Sequence, residues 1–240
     1  MNRREALFSF GAMAAATATV ARAETLGSYP TDMALDPAFA PRPARLGGQM
    51  QVLTNDTQRR TLEAAFDRLM PEDEYGPSAT QAGCIEFLDD QLAGPYGAGD
   101  VLYREGPKMA GEDALMQAPQ FIATPRERYE TGLEALEAYA QTNDRASFAD
   151  LQPDRQDEIL RGLEEGTISL SPDVNSKAFF ELMLANVREG YFSDPIYGGN
   201  KDMAGWKLIG FPGARYDYRL YADRVGEKLD LEPVSLIPRD

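Results

Sequence analysis

The densest carboxylate groups in the chain are Glu72-Asp73-Glu74, within Pro71–Gly76, and the pair Asp89-Asp90. Two carboxyls held a few ångströms apart could serve as general acid and as base or nucleophile on a glycosidic bond. Both groups fall at helix ends or on polar faces, where acids are ordinary solvating residues. The rest of the catalytic repertoire is thin. The sequence holds no histidine, which removes Ser-His-Asp and Cys-His catalysis, histidine ligation of a metal, and haem held by a histidine of this chain. Its one cysteine, Cys84, excludes an internal disulfide, a Cys-x-x-Cys haem attachment and an iron–sulfur cluster built from this chain alone. Cys84 stands beside Ile85 in a helical apolar stripe and reads as a buried, inert thiol. The other role open to it is contact with a partner's cofactor, for which its neighbours offer no support.

The second concentration of unusual residues is YFSDPIYGGNKDMAGWKLIGFPGAR, Tyr191 to Arg215, with five glycines, two prolines and the only tryptophan of the chain. Asp194-Pro195 opens a turn, and Gly198-Gly199 permits positive φ at two successive residues. Asn200 can bond to local backbone, and Asp202 can start a short helix that contains Trp206 and closes at Gly210. A turn running into a helix can present backbone N–H groups to an anion. In the competing reading, Tyr197 and Trp206 close the bottom of a helical core while the glycines permit the bend. The exposed rim of the loop, with Asn200 on it, is then free to contact another protein. Nucleotide motifs are missing elsewhere: Gly97-Ala98-Gly99 continues as Asp-Val-Leu, which breaks a dinucleotide fingerprint, and there is no Walker A string.

The elements that must carry these residues are helical. Leu62, Ala65, Phe66 and Leu69 fall at i, i+3, i+4 and i+7, in a helix that begins near Thr54 and is ended by Pro71. Ala82, Ile85, Leu88 and Leu92 predict a second helix over about Ala79–Leu92, with Gly94 as its C-terminal cap. Residues 94–121 are turn-rich and read as a long ordered loop. Thr124, Pro125 and Glu127 form a capping-box start, and Leu133, Leu136 and Tyr139 or Ala140 carry its buried stripe. Pro153 opens the next helix, Ile159, Leu160 and Leu163 line it, and Gly166 follows its end. Phe179, Phe180, Leu182, Met183, Leu184 and Val187 make the following helix apolar on most sides, hence central, with Gly190 as its cap. Strand signals are scarce. The expectation is a single irregular all-α domain of five or six helices with long ordered loops and an extended N-terminal arm.

A length of 240 residues with 43% apolar and 26% charged side chains describes a globular chain able to bury a core. The formal charge of −15 argues against nucleic acid and against anionic lipid, both of which require clustered Lys and Arg. The first residues read as an export address: the pair Arg3-Arg4, a mildly apolar run from Leu7 to Val20, and Ala21-Arg22-Ala23 as a small-x-small cleavage site. The run is too short to span a bilayer. Asn2 and Ala6 depart from the residues commonest in twin-arginine signals, and a general secretory signal or an amphipathic first helix are the other readings. Loss of residues 1–23, which hold three Arg and one Glu, takes the charge from −15 to −17. The expected organisation is a signal at 1–23, an arm rich in Pro, Gly and Ala at 24–51, and a helical domain at 52–240.

The string from Arg188 to Arg215, with DPIYGGN followed by GWKLIGFPG, resembles the signature of the gluconate 2-dehydrogenase subunit 3 family, and FLDDQLAGPYG at Phe87–Gly97 is similar to that family's middle region. The resemblance implies a small gamma chain that is not itself the seat of catalysis and binds no cofactor. It implies a large FAD-bearing partner of the glucose–methanol–choline type and a multihaem cytochrome c that passes electrons to the membrane quinone pool. The large subunit of such complexes crosses the membrane folded, in company with the signal-bearing small chain. Membrane association then comes only through the complex, whose substrate is a sugar, sugar acid or polyol. Under this resemblance Asp194, Pro195, Tyr197, Gly198, Gly199, Asn200 and Trp206 form a structural and partner-binding loop, while Arg3 and Arg4 carry export. A free-standing periplasmic enzyme or binding protein that uses carboxylates is the alternative.

Overall fold

The structure is a computed structural model and describes residues 49–100, 123–215 and 218–236. The expected signal at 1–23, most of the arm and the greater part of the loop before Phe121 lie outside the described residues. Helix α1 runs Asp56–Leu69, and the Asn55 side chain caps it by accepting from the Gln58 N–H. Helix α2 spans Cys84–Ala93, and α3 is a single turn, Pro95–Ala98. Helix α4 covers Pro125–Asp144 and opens with the complete Thr124–Glu127 capping box. Helix α5 spans Pro153–Glu165 and stops at Gly166, which is left-handed. Helix α6 spans Ser176–Phe192, and α7 is short, Ala204–Ile209. Between them lie short 3-10 turns. The fold is all-α, with no strand among the described residues.

Three boundaries differ from expectation. Residues 79–83 form turns, because Gly83 sits at φ 84° and breaks the helical path, so α2 begins only at Cys84. The stretch after Gly94 contains the α3 turn, started by Pro95 at its first helical position. Gly190 lies inside α6 rather than capping it. An added Cβ there would sit 3.0 Å from Phe87 and 3.3 Å from Cys84, so this glycine permits α6 to approach α2.

Helix α6 is central, as expected of a helix apolar on most sides, though it keeps one exposed stripe at Lys177, Glu181, Ala185, Arg188 and Glu189. It packs against α1, α2, α4, α5 and α7. Phe66, Leu88, Leu133, Leu136, Phe148, Ile159, Leu163, Phe179, Met183 and Val187 are buried in one continuous core. One of the polar residues buried with it is well partnered: Asn186 Oδ1 accepts from the Tyr129 hydroxyl at 2.9 Å and from the Tyr96 hydroxyl at 3.1 Å, while its Nδ2 donates to Glu189 at 2.8 Å. An amide oxygen shared by two hydroxyls satisfies buried groups that would otherwise each cost roughly 1–3 kcal/mol. On the surface, Arg68 makes a two-pronged contact from α1 to Asp157 on α5, both bonds 2.7 Å.

Candidate functional site

Neither Glu72-Asp73-Glu74 nor Asp89-Asp90 is arranged as a reactive pair. Pro71–Tyr75 is exposed, and Asp73 is spent on its own turn, accepting from the Tyr75 and Gly76 N–H groups. Asp89 corrects the expectation of a solvated polar face. It is 3% exposed, and its carboxylate accepts backbone N–H groups from Gln51 at 2.7 Å, Val52 at 2.9 Å and Leu53 at 2.8 Å. Three aligned donors replace water around the charge, and the end of the N-terminal arm is fixed to α2 by this clamp. Asp90 accepts from the Gln51 side chain at 3.0 Å. Glu137 is used in the same way. Burial alone would raise its pKa, but hydrogen bonds from Gln141, the Phe148 N–H, Ser147 and Thr61 hold it below the usual glutamate value. Among the described residues no three His, Cys, Asp or Glu side chains converge as metal ligands.

Cys84 is fully buried, with Sγ 3.8 Å from the Val187 carbonyl. Desolvation, with nearby Glu86 and Asp67, pushes its pKa up to about 12. The thiol is therefore protonated at neutral pH and shut off from solvent, as expected of an inert side chain.

The Tyr191–Arg215 segment forms the densest local construction. Asp194 opens a 3-10 turn, Pro195–Tyr197, by accepting from the Ile196 N–H at 3.0 Å. Its carboxylate has a second use that the sequence did not reveal. Asp194 also accepts from the Ser235 hydroxyl at 2.7 Å and the Leu236 N–H at 3.0 Å, which pins the C-terminal tail to the loop. Gly198 takes φ 95°, but Gly199 does not have a positive φ. Gly199 is needed for another reason: an added Cβ would lie 2.9 Å from the Gly190 carbonyl carbon and nearer still to its oxygen. Here the loop backbone rests directly on α6.

The left-handed residues are instead Asn200, Asp202 and Met203, at φ 48°, 56° and 56°. Asn and Asp are the non-glycine residues that most readily adopt this region, so two of the three were legible in principle. Nothing in the identity of Met203 signals it. The helix starts at Ala204, after Asp202 rather than at it, because Asp202 and Met203 keep this left-handed path.

Asn200 does not lie on an exposed rim: it is 0% exposed. Its Nδ2 donates to the Ser193 carbonyl and its Oδ1 accepts from the Gly205 N–H, both at 2.8 Å. One side chain thus ties the end of α6 to the start of α7. Asn200→Ala is expected to destabilise the chain by about 2–4 kcal/mol, since it orphans two buried backbone groups and removes a residue suited to positive φ. A thermal melt checks this; an unchanged midpoint would show that the amide does not hold the loop.

Tyr197, expected inside, is 53% exposed. Trp206 is at its expected place in the core edge, 4% exposed, with Nε1–H donating to the Phe192 carbonyl at 2.7 Å. Its ring meets Phe211 edge-on at 5.3 Å. The Lys201 N–H donates to the Ala82 carbonyl at 3.0 Å, and its ammonium meets Glu86 at 2.9 Å. The start of α7 thus follows a left-handed turn packed onto α2 and α6, and nothing in the loop's geometry marks a built anion cradle.

Fold and site together define an irregular helical protein with a tryptophan-centred, glycine-rich loop locked over one end of its central helix. The chain belongs to the gluconate 2-dehydrogenase subunit 3 family, whose model matches residues 56–213. Those bounds run from the first residue of α1 through the loop just described. The family takes its name from a subunit of gluconate 2-dehydrogenase. Neither the curated proteins nor the solved structures give a significant match.

Proposed function

We propose that the chain is the small accessory subunit of a periplasmic, acceptor-dependent sugar or sugar-acid dehydrogenase, and that it carries the export signal for a flavoprotein partner. The family match over residues 56–213 carries the reading. In it, oxidation occurs on FAD in a large glucose–methanol–choline-type subunit, and a multihaem cytochrome c takes the electrons onward. The small chain contributes surface, stability and an address. Its residue inventory suits that division, since it has no histidine and one buried cysteine with which to hold a haem. The best-defined carboxylates, Asp89 and Glu137, are occupied by bonds within the fold, which favours this reading over a free-standing carboxylate enzyme. Among the described residues no helix is long and apolar enough to cross a membrane, and attachment to the membrane is assigned to the partners.

The twin-arginine route carries folded cargo, which fits a chain whose partner must load FAD before export. Processing after Ala23 would leave Glu24 as the first mature residue. Arg3→Lys with Arg4→Lys is expected to strand both this chain and the flavoprotein in the cytoplasm, read by immunoblot of periplasmic and cytoplasmic fractions. A flavoprotein still exported in that double variant would sink the escort role.

A further inference from the structure

The exposed apolar side chains are unevenly placed. Of the seven large hydrophobic residues exposed among the described residues, six lie between Tyr197 and Val225. Leu208, Ile209 and Phe211 are consecutive members of that set, 42%, 59% and 44% exposed, at the end of α7. Phe211 also lines an open groove of about 560 Å³ between α7 and the Lys228–Pro233 strap, with Trp206, Leu229 and Leu231 in its lining, so the exposed set adjoins the groove through Phe211. Scattered single apolar residues need no explanation, but a contiguous patch beside a groove marks a contact surface. The N–H groups of Lys228–Glu232 make no hydrogen bond among the described residues, so one groove wall also offers main-chain donors that a polypeptide can satisfy.

Charge decides between occupants. Residues 194–240 hold seven basic and eight acidic side chains, so nearly all of the −15 lies in the chain before them. The patch is a near-neutral apolar face on a strongly acidic body. A second copy would bring two such bodies together and meet like-charge repulsion, and an anionic lipid surface would be repelled as well. A basic protein surface is attracted and oriented by the same field. Glu232, which makes no ion pair among the described residues, lines the groove beside Lys207 and the Lys228–Asp230 pair and is open for a partner's cation to meet.

We infer that the face formed by Leu208, Ile209 and Phe211 with the adjoining groove is where this chain docks its flavoprotein subunit, through an apolar segment of that subunit flanked by Lys or Arg. This rests on the accessory-subunit reading above and names its contact surface. The rigid loop then has a purpose: Asn200 and Trp206 hold α7 so that its far side is presented outward.

The test is co-expression of the full-length chain with a candidate FAD-bearing glucose–methanol–choline-type subunit from the same genome, followed by co-purification and titration of the two. Ile209→Arg and, separately, Leu208→Arg should leave the melting midpoint unchanged and weaken association about thirtyfold or more, the loss expected of a central interface residue. Glu232→Lys should slow association and reduce its salt dependence. Glu164→Lys, exposed on α5, should bind as wild type. Wild-type binding with unchanged binding by both arginine variants overturns the docking face and leaves the accessory role standing. Wild-type chain that leaves the flavoprotein behind overturns both, whereas a wild-type homodimer that Ile209→Arg dissociates without affecting flavoprotein binding overturns the docking face alone.

Discussion

Trp206→Ala is expected to destabilise the chain by about 3–5 kcal/mol, the range for truncating a buried large aromatic. For a domain of this size that lowers the melting midpoint by roughly 6–20 °C. Three losses combine. The ring leaves a void at the end of α6, where it is 4% exposed. The Phe192 carbonyl loses the indole donor at 2.7 Å, in the last turn of α6, where carbonyls have no helical partner. Phe211 loses its edge-on ring contact, and Gly213, whose Cβ position lies 2.9 Å from the indole, loses the surface on which the C-terminal tail turns. Trp206→Phe separates these effects: it restores most of the apolar area but not the donor, and should recover more than half of the loss. A Trp206→Ala protein that melts like wild type would show that the ring is not what fixes α7 to α6.

Gly199→Ala is expected to cost about 3 kcal/mol, the upper end for forcing extra volume into a packed site. The cause is steric. A single methyl would enter the backbone of Gly190, and neither backbone can withdraw without shifting α6 or breaking the Asn200 bonds next to it. Gly166→Ala supplies the contrast. Gly166 has φ 73° with nothing within 4 Å of an added Cβ, so only the left-handed conformation is penalised, by about 1–2 kcal/mol. Urea unfolding of both variants checks the ranking. If Gly166→Ala proves the more damaging, backbone conformation rather than contact governs these glycines.

Much of the fold was legible because it depends on local pattern. The 3.6-residue stripes placed Leu62, Phe66, Leu133, Leu136, Ile159 and Leu163 in the core, and a side chain repeating at that period has one face to bury whatever its neighbours are. The Thr124–Glu127 cap and the stop at Gly166 were equally local, since each is satisfied within a few residues. So was the central position of α6, because apolar residues cover most of its circumference and leave one exposed stripe at Lys177, Glu181, Ala185, Arg188 and Glu189. The absence of histidine and the single cysteine bounded the chemistry without any coordinates. The long string around Gly198 and Trp206 pointed to the family.

Tertiary structure decided the rest, and the reason is the same in each case. Asp89 is a polar residue on a helix until the arm's N–H groups at Gln51–Leu53 arrive from 36–38 positions away. Asp194 is a turn former until Ser235 and Leu236 reach it from 41 and 42 positions away. Gly190 and Gly199 look like conformational punctuation, yet both serve backbone approach, a requirement set by the partner element and invisible in the residue itself. Asn200 is buried, and Tyr197 exposed, because the left-handed run through Asn200, Asp202 and Met203 turns the loop over onto α2 and α6. Local sequence dictates which elements form and which face they bury. Where a polar side chain finds its partner is fixed only when distant segments close on it.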